Sequence, residues 1–239
     1  MYLCIHKKTI RKVKKMDTKD TKEYYISPKM KAVIAYLFEV QGEMTPLQLQ
    51  KLLYYIQGLS FALNGREMFE DDCQAWVHGE VYPNVYQTFK EFSFKFIDDC
   101  FIPSLANDKE TLAKDDKEVI SLVSSTFGEC NAKKLEKLSH YEMPWIEARE
   151  GYKENERSNK IVTKKEICNY FTDINKLYNL STEEGVNTYI EEKIADNEEE
   201  EEYSEEFLQE LEKTSVAYAR GELETCTSKE MREYCGLAN

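Results

Sequence analysis

Three histidines, His6, His78 and His140, seven cysteines and a scatter of carboxylates are the residues of this 239-residue chain that could carry bond-breaking chemistry. His78 stands beside Gly79-Glu80 and His140 two residues before Glu142, so an acid/base pair forms if the two segments meet in space. The plainer reading is favoured: a histidine near a core more often satisfies backbone groups or caps an element than it catalyses. Cys73 with His78 is a weaker nucleophile pair still, because a cysteine flanked by Gln-Ala-Trp reads as a buried apolar thiol. The seven cysteines are odd in number and far apart, with no CxxC or His-spaced pair to build a zinc site, and they read as reduced cytoplasmic thiols. Walker, GxGxxG, HExxH, GxSxG and kinase-type motifs are all missing. The chain is therefore read as a non-enzyme with no cofactor and no metal.

The elements that must position these residues are mostly helical. Thr45 reads as the N-cap of a helix with Pro46 at its first position and Gln48 closing a capping box, and Leu49, Leu52, Leu53, Ile56 and Ser60 form its inward stripe until Asn64-Gly65. An earlier helix opens at Ser27-Pro28, carries Met30, Val33, Ile34 and Leu37 on one face, stops at Gly42 and pairs with the second as a hairpin. Cys73 to Val77 is a short extended segment, Gly79 is a sharp turn, and Pro83 opens a helix to about Phe92. Phe92, Phe94 and Phe96 alternate, which allows a short strand over 94–97, and 103–116 reads as a polar surface loop. Further helices follow over 117–127, from the Asn131 cap, and from a Thr163/Glu166 capping box ahead of Ile167, Tyr170 and Phe171.

Composition sets the division of the chain. With 41% hydrophobic and 12% aromatic residues it can bury a substantial core. The net charge of -13 is uneven: roughly +7 over residues 1–31, roughly -7 over 32–180 and roughly -13 over 181–239. Residues 1–27 are read as a basic flexible leader with Met16 as an alternative start, 28–178 as a compact helical domain, 179–202 as an acidic linker, and 203–239 as amphipathic helices. That tail carries Phe207, Leu208 and Leu211 at helical spacing and a third capping box at Thr227/Glu230, and it must fold back or meet a partner. The fold class is thus mainly α, with a two- or three-stranded β element. No apolar run approaches the roughly 18 residues of a membrane span, and no secretory signal is read at the start, so membrane partners are excluded. Sixteen tyrosines without a basic stripe on the body do not argue nucleic-acid stacking, and the net negative charge repels phosphates.

Three stretches, TPLQLQKLLYYIQG, FEDDCQAWVHGEVYPNVY and LSHYEMPWIEAREG, resemble in order and spacing the Panacea domain of SocA-like antitoxins and of phage- or mobile-element-associated proteins, over about residues 28–175. The motif positions fall on Thr45, Pro46, Lys51, Leu52, Tyr54, Tyr55, Ala75, Trp76, Gly79, Val81, His140, Pro144 and Trp145, read as structural. Glu80 stands where the family usually has proline, which is expected to loosen the turn and add a charge to its surface. The resemblance implies a cytoplasmic, prophage-type toxin-antitoxin component that neutralises a cognate protein toxin by direct contact. It leaves open an adaptor delivering the toxin to an ATP-dependent protease, and, from the residues alone, an enzyme using His78 and His140. Glu80, Tyr82, Asn84 and Tyr86 at the turn, with Phe207, Leu208 and Leu211 of the tail, are the candidate partner-binding residues.

Overall fold

The computed structural model describes residues 24–97 and 112–200, with side chains through residue 197. Helix α1 (Pro28–Gln41) starts where Ser27 Oγ accepts the Met30 amide at 3.1 Å, and α2 (Pro46–Asn64) where Thr45 Oγ1 accepts the Gln48 amide at 3.3 Å. Strands β1 (Cys73–Trp76) and β2 (Gly79–Val81) make a tight hairpin, followed by α3 (Pro83–Phe89) and one 3-10 turn (Lys90–Phe92). Helices α4 (Lys114–Ser125), α5 (Ala132–His140) and α6 (Met143–Ala148) precede β3 (Ile161–Val162), and α7 (Lys164–Tyr178) and α8 (Glu183–Glu200) follow it. The three strands form one antiparallel sheet in the order β2-β1-β3, with Gln74 opposite both Val81 and Ile161. The described chain is therefore mainly helical with a small sheet.

Helix α2 is the axis of the core. Every residue from Leu49 to Ser60 is buried, because α4, α5, α7 and the sheet surround it. Gly58 permits the closest of these approaches, since a Cβ there would sit 2.4 Å from the Phe171 ring of α7. Tyr55 stacks on Phe127 with ring centroids 3.8 Å apart, and Tyr54 meets Phe171 edge-on at 5.5 Å. Burying each such side chain contributes about 1.5–3 kcal/mol, so this cluster fixes where α2 presents its polar residues.

Several local expectations change. Thr45 caps α2, but the Gln48 side chain turns away from the N-cap amide and donates to the Gly128 and Cys130 carbonyls at 3.3 and 3.4 Å, so no capping box closes. The two tertiary carbonyls, bound by Nε2, hold the side chain away from the Thr45 amide. Helix α1 packs chiefly on α4, which also lies on α2, in place of a simple α1/α2 hairpin. Residues 94–97 are irregular and form no strand: the Ile97 amide goes to the Met44 carbonyl at 3.0 Å and buries Ile97 while Phe94 and Phe96 stay exposed. The helix expected over 117–127 begins at Lys114, inside the span read as loop, and residues 103–111 of that loop lie outside the described residues. The Thr163/Glu166 capping box is present in both directions, with the Thr163 amide 2.9 Å from Glu166 Oε2.

The largest change concerns the stretch read as a linker, 179–202. Its residues 183–200 are helix α8, and Val186, Tyr189 and Ile190 are buried against α7 and α5. The i, i+3, i+4 spacing of those three residues outweighs the glutamates, of which Glu183, Glu184, Glu191 and Glu192 are exposed. At the other end Ile26, assigned to the leader, is buried in the same core. Residues 1–23 of the leader, and Phe207, Leu208, Leu211 and the Thr227/Glu230 box of the tail, lie outside the described residues.

Candidate functional site

The motif residues converge on a polar network sealed inside the helices. Lys51 of α2 reaches Glu80 of β2, its Nζ 3.2 Å from Oε2, and donates to Ser139 Oγ of α5 at 2.7 Å. Ser139 Oγ in turn donates to the Glu136 carbonyl at 3.0 Å. One helical turn along, Tyr55 donates to Glu142 Oε1 at 3.2 Å, and Tyr189 of α8 donates to the same oxygen. Tyr170 of α7 extends the chain, its hydroxyl 3.0 Å from that of Tyr189. Lys51 stands one turn from Tyr54 and Tyr55, so one helix face supplies both ends of the network.

Burial governs the electrostatics. It pushes the Glu80 carboxyl up against the opposing pull of Lys51, and it raises Glu142 to about 8, with the neighbouring Glu80 charge acting in the same direction and hydrogen bonds from tyrosines opposing it. Burial followed by the nearby Glu142 and Glu80 charges holds the hydroxyls of Tyr54 and Tyr55 well above the ordinary tyrosine value. Gly79 is demanded by this packing: its φ is +94°, and a Cβ there would fall 1.6 Å from Lys51 Nζ and 2.6 Å from Ser139 Oγ.

A second set of motif residues locks the helices to the sheet. Trp145 of α6 donates from Nε1 to the Trp76 carbonyl at 2.9 Å, and buried Arg149 donates to the Ala75 carbonyl at 3.3 Å and to three carbonyls of the 153–156 turn at 2.9–3.0 Å. The Arg149 guanidinium lies 5.2 Å from the Trp145 ring centroid, and His140 stacks on Trp145 with ring centroids 4.2 Å apart. Pro144 is buried in the first turn of α6, Val81 and Ala75 are buried in the sheet, and Leu52 is in the core.

The two histidines do approach each other, but their environments differ. His78 is exposed on the β1–β2 turn, with Nδ1 2.6 Å from Glu136 Oε1. His140 is half-buried, and burial followed by the Lys51 charge lowers it to about 4, which leaves it neutral at physiological pH. Chemically this is one surface histidine-carboxylate pair beside one neutral, stacked ring. Cys73 is buried, and burial pushes its thiol well above the ordinary range, so it is a packing residue in this setting. Among the described residues, no group of three or more His, Cys, Asp or Glu side chains could hold a metal ion, and no helix is long and apolar enough to cross a membrane.

The surface above the network is aromatic. Gln74 and Trp76 share the outer face of β1, joined by a 2.9 Å hydrogen bond from Trp76 Nε1 to Gln74 Oε1, and the half-exposed rings of Trp76 and Tyr86 meet edge-to-face at 5.0 Å. Asn84 is exposed at the start of α3, and Ile161 of β3 is 51% exposed beside Gln74. Glu80 and Tyr82, expected at the surface of this turn, are buried. The Lys51 amine draws Glu80 inward, and the Tyr82 ring packs edge-on against Phe69 at 5.3 Å while its amide donates to Gln50 Oε1 at 2.7 Å.

Residues 49–146 match the family described as antitoxin SocA-like, Panacea domain. Over that stretch the chain is similar to SocA-like Panacea domains. The matched span runs from the first buried turn of α2 to Ile146 of α6, and so includes Lys51, Tyr55, Gly79, Glu80, Ser139, Glu142 and Trp145. Searches of curated proteins and of solved structures returned no match. Sequence reasoning placed the motif positions but did not join Ser139, Glu142 and Tyr189 to them. Glu142 lies within the HYEMPW stretch and was legible as a neighbour of His140; nothing in the sequence pointed to Tyr189, which lies beyond the matched span.

Proposed function

We propose that the protein is an antitoxin that neutralises a cognate protein toxin by binding it directly, with Trp76 on the outer face of β1 and Asn84 and Tyr86 on the adjoining α3 as part of the contact surface. The observation that carries this reading is the match of residues 49–146 to an antitoxin family. Two features of the chain support it. Paired aromatic rings half-open to solvent beside an exposed Asn84 and Ile161 are the composition of an interface centre. The helices tied to that face through Trp145 and Arg149 hold it rigid, which lowers the ordering cost of binding.

The experiment is co-expression with the product of the adjacent gene. Growth arrest caused by that product should be relieved by the intact protein and not by a variant carrying Tyr86→Ala with Asn84→Arg. A rescue that vanishes when host ATP-dependent proteases are deleted would replace simple neutralisation with proteolytic delivery.

A further inference from the structure

Between the chain entering β1 and the first turn of α3 lies a pocket of about 280 Å³, whose lining includes Tyr25, Glu70, Asp71, Asp72, Tyr82 and Asn84. Three consecutive carboxylates meet at one opening, and no described lysine, arginine or histidine lines it. Lys164 stands beside it, but its Nζ is committed to Glu67 Oε2 at 2.8 Å and to the Glu70 carbonyl at 2.7 Å, and lies 3.9 Å from Asp72 Oδ1. Glu70 and Asp71 make no ion pair among the described residues. Two buried acceptors of the lining have no hydrogen-bond partner. They are Asp71 Oδ2, whose companion Oδ1 accepts the Ser27 amide at 3.2 Å, and the hydroxyl of Tyr82, a residue 2% exposed.

We propose that this pocket receives an arginine side chain of the partner protein that binds the adjoining aromatic face. The inference rests on the antitoxin reading and extends its contact surface: Asn84 belongs to both, and Tyr86 follows it on α3. The chemistry required is that of a forked cation. Surplus negative charge attracts a basic group, and a planar guanidinium offers enough donors to reach two carboxylates and the Tyr82 hydroxyl together. The ring of Tyr25, 66% exposed, suits the flat face of the same group. A metal ion is a poorer match, because among the described residues no group of three or more His, Cys, Asp or Glu side chains could hold one. A desolvated oxygen such as Asp71 Oδ2 also gains more from a charge-assisted bond than a fully hydrated surface carboxylate does.

The test has two arms, both on the full chain. In the first, ¹H–¹⁵N NMR follows titration with N-acetyl-arginine amide, which presents one guanidinium and no free termini, against the citrulline analogue, which carries no charge. The expected result is saturable shifts of the 70–72 and 84–85 amides, half-complete at about 1–10 mM. They should be absent with citrulline and absent in the Glu70→Gln, Asp71→Asn, Asp72→Asn variant. The amide introduced at position 71 keeps an oxygen for the Ser27 N–H, so the rest of the spectrum should stay in place. Equal shifts with citrulline, or none with arginine, would overturn the proposal. In the second arm, calorimetry with the product of the adjacent gene should show about a tenfold loss of affinity in the same variant, and a weaker dependence on salt. Undiminished affinity would also overturn it. A product that does not bind the parent protein, while the arginine shifts persist, would overturn the antitoxin reading and with it the arginine's source. Binding of the product without the arginine shifts would count against the pocket alone.

Discussion

Lys51 Nζ lies 3.2 Å from Glu80 Oε2, and both side chains are fully buried. The glutamate occupies the position where a turn proline would be expected from the family resemblance, and it gives the buried amine an anionic partner. Removing one member of such a pair leaves the other uncompensated, at a cost of about 3–5 kcal/mol, whereas replacing both with apolar residues is close to neutral. Lys51→Met should therefore destabilise strongly in urea unfolding, and Lys51→Met with Glu80→Leu should recover most of the loss. Additive losses would show that the two residues act independently.

Gly79 makes a sharper prediction. Gly79→Ala forces a side chain into φ +94° and onto Lys51 Nζ and Ser139 Oγ. The backbone strain alone is of order 1–3 kcal/mol, with displacement of the amine added to it. A thermal midpoint unchanged from the parent protein would contradict this geometry.

Glu142 confers a pH dependence whose sign follows from its raised value. The unfolded carboxyl loses its proton near 4.5 and the folded one near 8, so between these values the folded chain holds an extra proton and stability falls as pH rises. His140, lowered to about 4, acts oppositely between about 4 and 6.5, where stability rises with pH. The clean window is pH 6.5–8, where the loss due to Glu142 approaches about 1.4 kcal/mol per unit. Chemical denaturation across that window should show a decline that Glu142→Gln removes.

Tyr189 tests the docking of α8. Tyr189→Phe deletes the hydrogen bonds to Glu142 and Tyr170 but keeps the ring, at a cost of about 1–3 kcal/mol for the buried groups left unpaired. Tyr189→Ala also empties the cavity between α7 and α5 and should cost about 3–5 kcal/mol. Amide exchange should then accelerate in α8 while α2 stays protected. Uniform acceleration would mean that α8 unfolds only with the whole body.

Local signals were legible wherever they were self-contained. The Ser27, Thr45, Asn131 and Thr163 caps, the stop at Gly65 and the α2 stripe all depend on residues within one turn of each other. Gln48 was misread because its partners are about eighty residues away, and tertiary acceptors decide an amide's choice. Helix α8 was misread because its glutamates dominate its composition, while the three positions that dock it, Val186, Tyr189 and Ile190, are a minority. The site followed the same pattern: Lys51, Gly79 and Trp145 were found as motif positions, but the burial of Glu80 and the convergence on Glu142 arise from long-range packing.

The most direct test of the account is calorimetric titration of the full-length protein with the product of the adjacent gene. The account predicts saturable binding that Tyr86→Ala weakens by about 2 kcal/mol, roughly thirtyfold, the scale of an interface hot spot, without shifting the thermal midpoint. Absence of binding, or binding of undiminished affinity by this variant, would contradict the assignment of the aromatic face to toxin recognition.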